Sequence, residues 1–337
     1  MRKPTSKKLT CLALSLLMAL GTAQTAVMAA GEDTAAKNNT NGKTTLQEIS
    51  ESLSSISYAA YKEQHADAKR GTKSVTINAT DYVAESTTAT VKVESNFNGK
   101  SGQSLVMQDD GKVTWKVNIP ETGLYAIGID YTSTSEKTNS IERMLYINDK
   151  VPFSEARYLL MKKTWVNDYI YGRFEIDSNG NELRPLSHVE HVWSEYEFID
   201  SNGYYANPFE FYLEAGENLI TLEAVREPMA IQTITIHPYE DKPVYEDYIA
   251  GKSEAAASPI HIDAELPAAT SDYTVYPIYD RKSAITEPQH HTKIMLNTIG
   301  GEKWQKVGQW VEYSFNVETA GLYELVFRFR QNELSGM

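Results

Sequence analysis

Three clusters in this 337-residue sequence set aromatic rings beside amide or carboxylate side chains. Trp165 stands near Asn167 and Asp168, Trp193 near His191 and Glu195, and Tyr204 and Tyr205 between Asn202 and Asn207. These residue types suit a sugar. A pyranose has apolar C–H faces and a fringe of hydroxyls, so a site for it needs a flat aromatic platform and fixed polar partners. The candidate glycan-binding residues are Trp165, Asn167, Asp168, Trp193, Glu195, Tyr204 and Tyr205. The competing reading packs the same rings under long loops, because aromatic side chains more often fill cores.

Other chemistries fit less well. In "HVEHVWSEYE", His188 and His191 are three apart in a stretch that reads as extended. A helical zinc motif needs its histidines at i and i+4, and an extended chain sends these two to opposite faces. Carboxylate pairs such as Glu195 with Glu197 or Asp109 with Asp110 occur. Glycoside hydrolysis, however, needs two carboxylates across a cleft, and neighbouring acids are usually a solvated face. Nucleophile-elbow, P-loop and dinucleotide-binding patterns are missing from the sequence. The chain reads as a non-enzyme, and none of these patterns calls for a cofactor.

The elements that must position these residues are strands. Apolar residues alternate with polar ones over 74–79, 88–95, 113–119, 123–132, 142–148, 208–213, 217–226 and 230–237. Pro120 and Gly123 supply a turn, proline by presetting φ and glycine by tolerating positive φ. Asn148-Asp149 and Ala215-Gly216-Glu217 are candidate hairpin turns. Many short strands with little helix predict an all-β antiparallel sandwich. Residues 150–207 are less periodic and read as long ordered loops. Ahead of the strands, Thr45 and Glu48 form a capping box. Leu46, Ile49, Leu53, Ile56 and Ala60 then give an amphipathic helical stripe, with Gly71 as a stop.

One phrase recurs. "VTWKVNIPETGLYAIGIDY" aligns without a gap on "VEYSFNVETAGLYELVFRF", so that Trp115 meets Tyr313, Gly123 meets Gly321 and Tyr125 meets Tyr323. A looser match precedes it: the Y-x-x-Y of Tyr58 and Tyr61, followed by Ile77-Asn78-Ala79, resembles Tyr245 and Tyr248 followed by Ile262-Asp263-Ala264. A second copy of the sandwich therefore begins near residue 260, with no counterpart of the hairpin, aromatic loops and closing strands of the first. Half a sandwich leaves an apolar face and strand edges in water. The expectation is a fragment of a longer protein.

The first residues read as an export signal. "MRKPTSKK" is a basic region, "LTCLALSLLMAL" an apolar stretch short for a bilayer, and small residues follow up to Ala29 and Ala30. The single cysteine, Cys11, lies inside that segment, so the mature chain has no disulfide framework. The whole sequence carries a formal charge of −13, and removing Arg2, Lys3, Lys7 and Lys8 makes it more acidic. That excludes nucleic acid and anionic lipid as natural partners, and no membrane insertion is expected after signal removal.

Gly216, Asn218, Ile220 and Leu222, leading into "IQTITI", resemble the closing strands of carbohydrate-binding modules with the galactose-binding-like jelly roll. The W-x-V-N-I-P…G-L-Y phrase fits the same family, where it forms the central strand pair. Such modules often hold a structural calcium through a Glu after I-x-A. Glu265 fits that position in the second copy, whereas the first has Thr80. A closer resemblance is to the N-terminal region of large bacterial extracellular solute-binding proteins of carbohydrate ABC transporters. It rests on Ser140 to Ile147, Pro152 to Tyr158, Trp165 to Asp168, Arg226 to Met229 and Tyr245 to Tyr248. This resemblance implies a sugar ligand and a transporter permease reached through a downstream domain.

The expected layout is a signal peptide over 1–29, a linker and amphipathic helix over 30–73, and a jelly-roll sandwich over 74–240. A linker over 241–259 and a truncated second sandwich over 260–337 follow. The expected function is an extracellular, secreted or envelope-associated carbohydrate-binding module of a solute-binding protein. The alternatives are an ancillary module of a secreted glycoside hydrolase or lyase, and a structural or protein-interaction sandwich on the cell surface.

Overall fold

The computed structural model describes residues 56–330. The predicted signal and the Thr45–Glu48 capping box lie outside the described residues. Helix α1 (Tyr58–Gln64) starts at its own cap, where the Ser57 hydroxyl accepts the Ala60 N–H at 3.3 Å, and closes at His65. It is thus shorter than the stripe predicted through to Gly71.

Two antiparallel sheets follow. The larger holds β1 (Val75–Asn78), β2 (Val91–Ser95), β3 (Gln103–Met107), β5 (Gly123–Ser133), β10 (Ser194–Glu197), β11 (Phe211–Leu213) and β13 (Met229–His237). The smaller holds β4 (Lys112–Ile119), β6 (Ile141–Ile147), β7 (Leu159–Met161) and β12 (Gly216–Arg226), in the order β4-β12-β6-β7. Their inner faces meet in one apolar core, with Ile127, Ile129, Ile234 and Ile236 from the larger sheet against Trp115, Val117, Leu145 and Ile220 from the smaller. Trp115 is fully buried, and its Nε1–H donates to the Ala79 carbonyl at 2.8 Å, so the one polar atom of its ring is not left unpaired. The fold is the expected all-β jelly-roll sandwich.

Strand connectivity corrects several expectations. β4 and β5 do not form a pair. β4 bonds to β12 and β5 bonds to β13, in different sheets. The Pro120–Gly123 turn therefore carries the chain across the sandwich. Gly123 is needed there for a close approach, since a Cβ would sit 2.8 Å from the Lys69 carbonyl oxygen. The turn before β12 behaves likewise: β11 bonds to β5 and β12 to β4. Both apolar faces must look inward, and changing sheet at the turn achieves that where a flat hairpin would keep both strands in one layer. Asn148 and Asp149 do form a two-residue turn with positive φ at both (50° and 63°), closed by paired bonds between Ile147 and Lys150.

The stretch expected as loops contains β7, β8 (Thr164–Asn167), β9 (Ser187–Glu190) and β10. In the second half, β14 (Ala269–Thr270), β15 (Pro277–Ile278), β16 (Thr298–Ile299) and β17 (Val311–Glu312) are two residues each. β14 bonds both to β17 and, through Thr270, to Trp165 on β8. The described part of the predicted second unit thus adds β14 and β17 to a sheet begun in the first copy, in the order β17-β14-β8-β9. Helix α2 (Tyr245–Ile249) precedes it. No helix among the described residues is long and apolar enough to cross a membrane.

Candidate functional site

The sequence candidates fall in three separate places. On β8, Trp165 is buried, with its ring centroid 5.5 Å from that of Tyr273. Asn167 donates to the Tyr169 hydroxyl at 3.0 Å, and Asp168 faces His188 at 2.9 Å. Both polar groups therefore serve the protein itself, and the Trp165 ring offers no free face.

Beside β10, Trp193 is half-buried. Its Nε1–H donates to the Phe97 carbonyl at 3.2 Å, and Lys100 Nζ stands 5.0 Å from its ring centroid. Lys100 also pairs with Asp130, which lies opposite Glu195 across the β5–β10 ladder. The loop that delivers Phe97 and Lys100 holds Asn96 and Asn98 at φ 52° and 48°, a left-handed conformation that asparagine tolerates better than most residues. His188 and His191 have different partners. His191 Nδ1 meets the Ser133 hydroxyl at 2.9 Å and its Nε2 meets Glu136 at 2.8 Å.

The third place is a cleft of about 250 Å³ lined by Tyr58, Lys62, Arg70, Tyr204, Tyr205 and Asn207, among others. Buried Asp200 builds its outer wall. Its carboxylate accepts the N–H of Asn202 at 3.0 Å, of Tyr204 at 2.7 Å and of Tyr205 at 3.3 Å, folding the loop into a tight Asx-type turn. The turn leaves Tyr204 84 % exposed. Tyr205 leans edge-on against Tyr58, with centroids 4.9 Å apart. On the other wall, Arg70 makes a fork to Glu210 at 2.6 and 3.2 Å and reaches Asp241 at 2.7 Å. Its hydrogen bonds to the carboxylates of Glu210 and Asp241 hold its guanidinium well above its usual pKa, so it stays charged and fixed. Burial pushes the Tyr58 phenol up to about 12. Its oxygen accepts the Glu210 N–H at 2.9 Å, tying α1 to the cleft floor.

Of the seven predicted residues, this cleft gathers only Tyr204 and Tyr205. Arg70, Tyr58, Lys62 and Glu210 were missed. Of these, only Tyr58 carries a signal in the sequence, the Y-x-x-Y of α1.

Glu265 is buried, and burial, followed by the charges of Asp263 and Glu182, raises its carboxyl above the usual range. Among the described residues, no group of three or more His, Cys, Asp or Glu is placed to hold a metal ion.

No family model and no curated protein matches the chain. Solved structures with a similar trace include a family 35 carbohydrate-binding module from Clostridium thermocellum. It is 17 % identical, covers 50 % of this chain and 99 % of that one, and has a TM-score of 0.27. The C-terminal CBM6 of a marine laminarinase from Zobellia galactanivorans is 13 % identical, over 49 % of this chain and 99 % of that one, with a TM-score of 0.26. The Podospora anserina GH26-CBM35 β-(1,4)-mannanase is 14 % identical over 51 % of this chain, with a TM-score of 0.30, and the match spans only 29 % of the enzyme.

Proposed function

We propose that this chain is an exported, non-catalytic carbohydrate-binding module whose ligand lies in the cleft beside Tyr204. The observation that carries this is the pairing of a solvent-facing phenol with a rigid polar wall: Tyr204 on one side, and Arg70 locked by Glu210 and Asp241 on the other. The Asp200 turn fixes the backbone that presents Tyr204, leaving its ring open to a sugar's C–H face. Groups already fixed by ion pairs lose little entropy when they meet hydroxyls. Lys62 and Arg70 are offset by Glu210 and Asp241, which suits a neutral glycan. The motifs at Ser140–Ile147 and Pro152–Tyr158 support a sugar-uptake binding protein as its context, with a permease as partner.

The test is calorimetric titration of the purified chain with a panel of soluble glucans, mannans, galactans and xylans. Binding to at least one is expected, with Tyr204→Ala weakening it ten-fold or more, a loss of about 1.4 kcal/mol. Trp193→Ala, in a different place, should leave it unchanged. A chain that binds none of the polysaccharides sinks the proposal. Loss on Trp193→Ala and not on Tyr204→Ala moves the site to β10. For the context, recovery of a permease from detergent-solubilised membranes on the immobilised chain supports uptake, whereas recovery of polysaccharide hydrolase or lyase activity favours the ancillary-module alternative.

A further inference from the structure

A buried amine, a carboxyl and a carboxamide come together outside the cleft lining. Lys163, between β7 and β8, has a side chain only 1 % exposed, and the Glu227 side chain facing it is 2 % exposed. Lys163 Nζ lies 3.1 Å from Glu227 Oε2. The other carboxyl oxygen, Oε1, accepts from Asn139 Nδ2 at 3.4 Å. One carboxyl therefore bridges the lysine amine and the asparagine amide. Nζ is also held by the carbonyls of Ser135 and Lys137, at 3.0 and 2.8 Å, in the same loop that ends with Asn139. Glu227 occupies a left-handed conformation at φ 64°, a strained position for a residue with a side chain. Buried Arg143 pins that turn, donating to the Arg226 and Glu227 carbonyls at 2.9 Å each.

Glu227 thus touches both groups that an amide exchange would join. Desolvation lowers the Lys163 pKa, which eases formation of the neutral, nucleophilic amine. Burial raises the Glu227 carboxyl, but hydrogen bonds from Ser135 and Lys163 outweigh it and keep it ionised, as a proton acceptor must be.

We propose that Lys163 and Asn139 form an intramolecular isopeptide cross-link, with Glu227 carrying the proton. Glu227 takes a proton from the Lys163 ammonium. The freed Nζ lone pair attacks Asn139 Cγ, forming the new C–N bond. The tetrahedral carbon collapses and breaks its bond to Nδ2, which leaves with the proton returned by Glu227 and the second Nζ hydrogen. The balance is one ammonium and one carboxamide giving one secondary amide and one ammonium ion, with no oxidant, reductant or cofactor. The bond would tie the loop before β6 to the chain entering β8, across the turn between β12 and β13.

Mass spectrometry of a proteolytic digest of the purified chain tests this. A branched peptide joining the segments that carry Asn139 and Lys163 is expected, lighter than their sum by ammonia, about 17 Da. Asn139→Ala, at an exposed position that leaves the fold intact, should return the two segments as separate peptides, and Glu227→Gln should do the same. Recovery of both segments unlinked from the unsubstituted chain overturns the proposal. So does a 17 Da loss that survives Asn139→Ala, since it must then arise elsewhere, as in ring closure at an Asn-Gly step.

Discussion

The two copies of the repeated phrase share local geometry and differ in burial. In the first, Leu124 bridges Arg70 in parallel fashion and the Tyr125 hydroxyl donates to the Glu121 carbonyl at 2.8 Å. In the second, Leu322 bridges Glu254 the same way and the Tyr323 hydroxyl donates to the Thr319 carbonyl at 2.5 Å. Gly321, like Gly123, has no room for a Cβ, which would lie 2.8 Å from the Ala255 nitrogen. The fate of the apolar side chains is opposite. Tyr58 is 3 % exposed and its counterpart Tyr245 is 70 %; Ile129 is 3 % exposed and its counterpart Phe327 is 74 %. The turn, the bridge and the tyrosine bond are written within a few residues, so both copies make them. Burial depends on β11, β12 and β13, which cover the first copy and have no equivalent among the described residues of the second.

The largest effects should come from substituting matched core positions. Ile129→Ala removes a fully packed side chain and should cost about 2–5 kcal/mol in denaturant unfolding. Phe327→Ala, at the equivalent place, should stay within about 0.5 kcal/mol. Equal losses at the two sites would show that the second copy is packed in solution as the first is. The glycines come next. Gly123→Ala must push against backbone and should cost about 1–3 kcal/mol. Gly321→Ala should leave global unfolding unchanged and instead speed amide exchange at Leu322, whose N–H bonds to Ser253 at 2.9 Å. If Gly321→Ala shifted the unfolding midpoint as Gly123→Ala does, the second turn would belong to the cooperative core.

Period-two alternation made most of the sandwich strands legible, because each has one face in the core. β3 escaped because four of its five residues are buried in a row, and a strand covered on both faces shows no alternation. The change of sheet at each turn was not legible, since alternation says which face is apolar and not which layer it joins. The site was legible only as a set of ring types. Trp165 and Tyr204 look alike in sequence, each an aromatic beside amides. What separates them is remote: Tyr273, about a hundred residues on, packs its ring against the first, while the Asp200 turn holds the second in solvent. Arg70 and Glu210, 140 positions apart, carry no joint signal at all. The W-V-N-D, R-E-P-M and S-I-E-R motifs turn out to supply packing, the β8 ladder and the Arg143–Glu227 anchor.

The smallest expected effect tests what the covering strands add to the tyrosines of α1. The hydroxyls of Tyr58 and Tyr61 accept the N–H groups of Glu210 and Tyr212 at 2.9 and 2.7 Å. Tyr61→Phe leaves the Tyr212 N–H without its partner and should cost about 1–2 kcal/mol, whereas Tyr248→Phe in the second copy should cost nothing measurable. Alkaline titration gives the same contrast without substitution. Burial, the largest influence, raises the Tyr58 phenol from 10.0 to about 12. The folded chain therefore prefers the protonated phenol, and that share of its stability is fully present below pH 10. It is lost as the pH climbs from about 10 towards 12. Phenolate absorbance followed alongside unfolding should show one class of tyrosine ionising only as the sandwich opens, and Tyr58→Phe should remove part of that class. A Tyr58 that ionised freely in the folded chain would mean that β11 does not seal α1, and that the first copy is as open at this edge as the second.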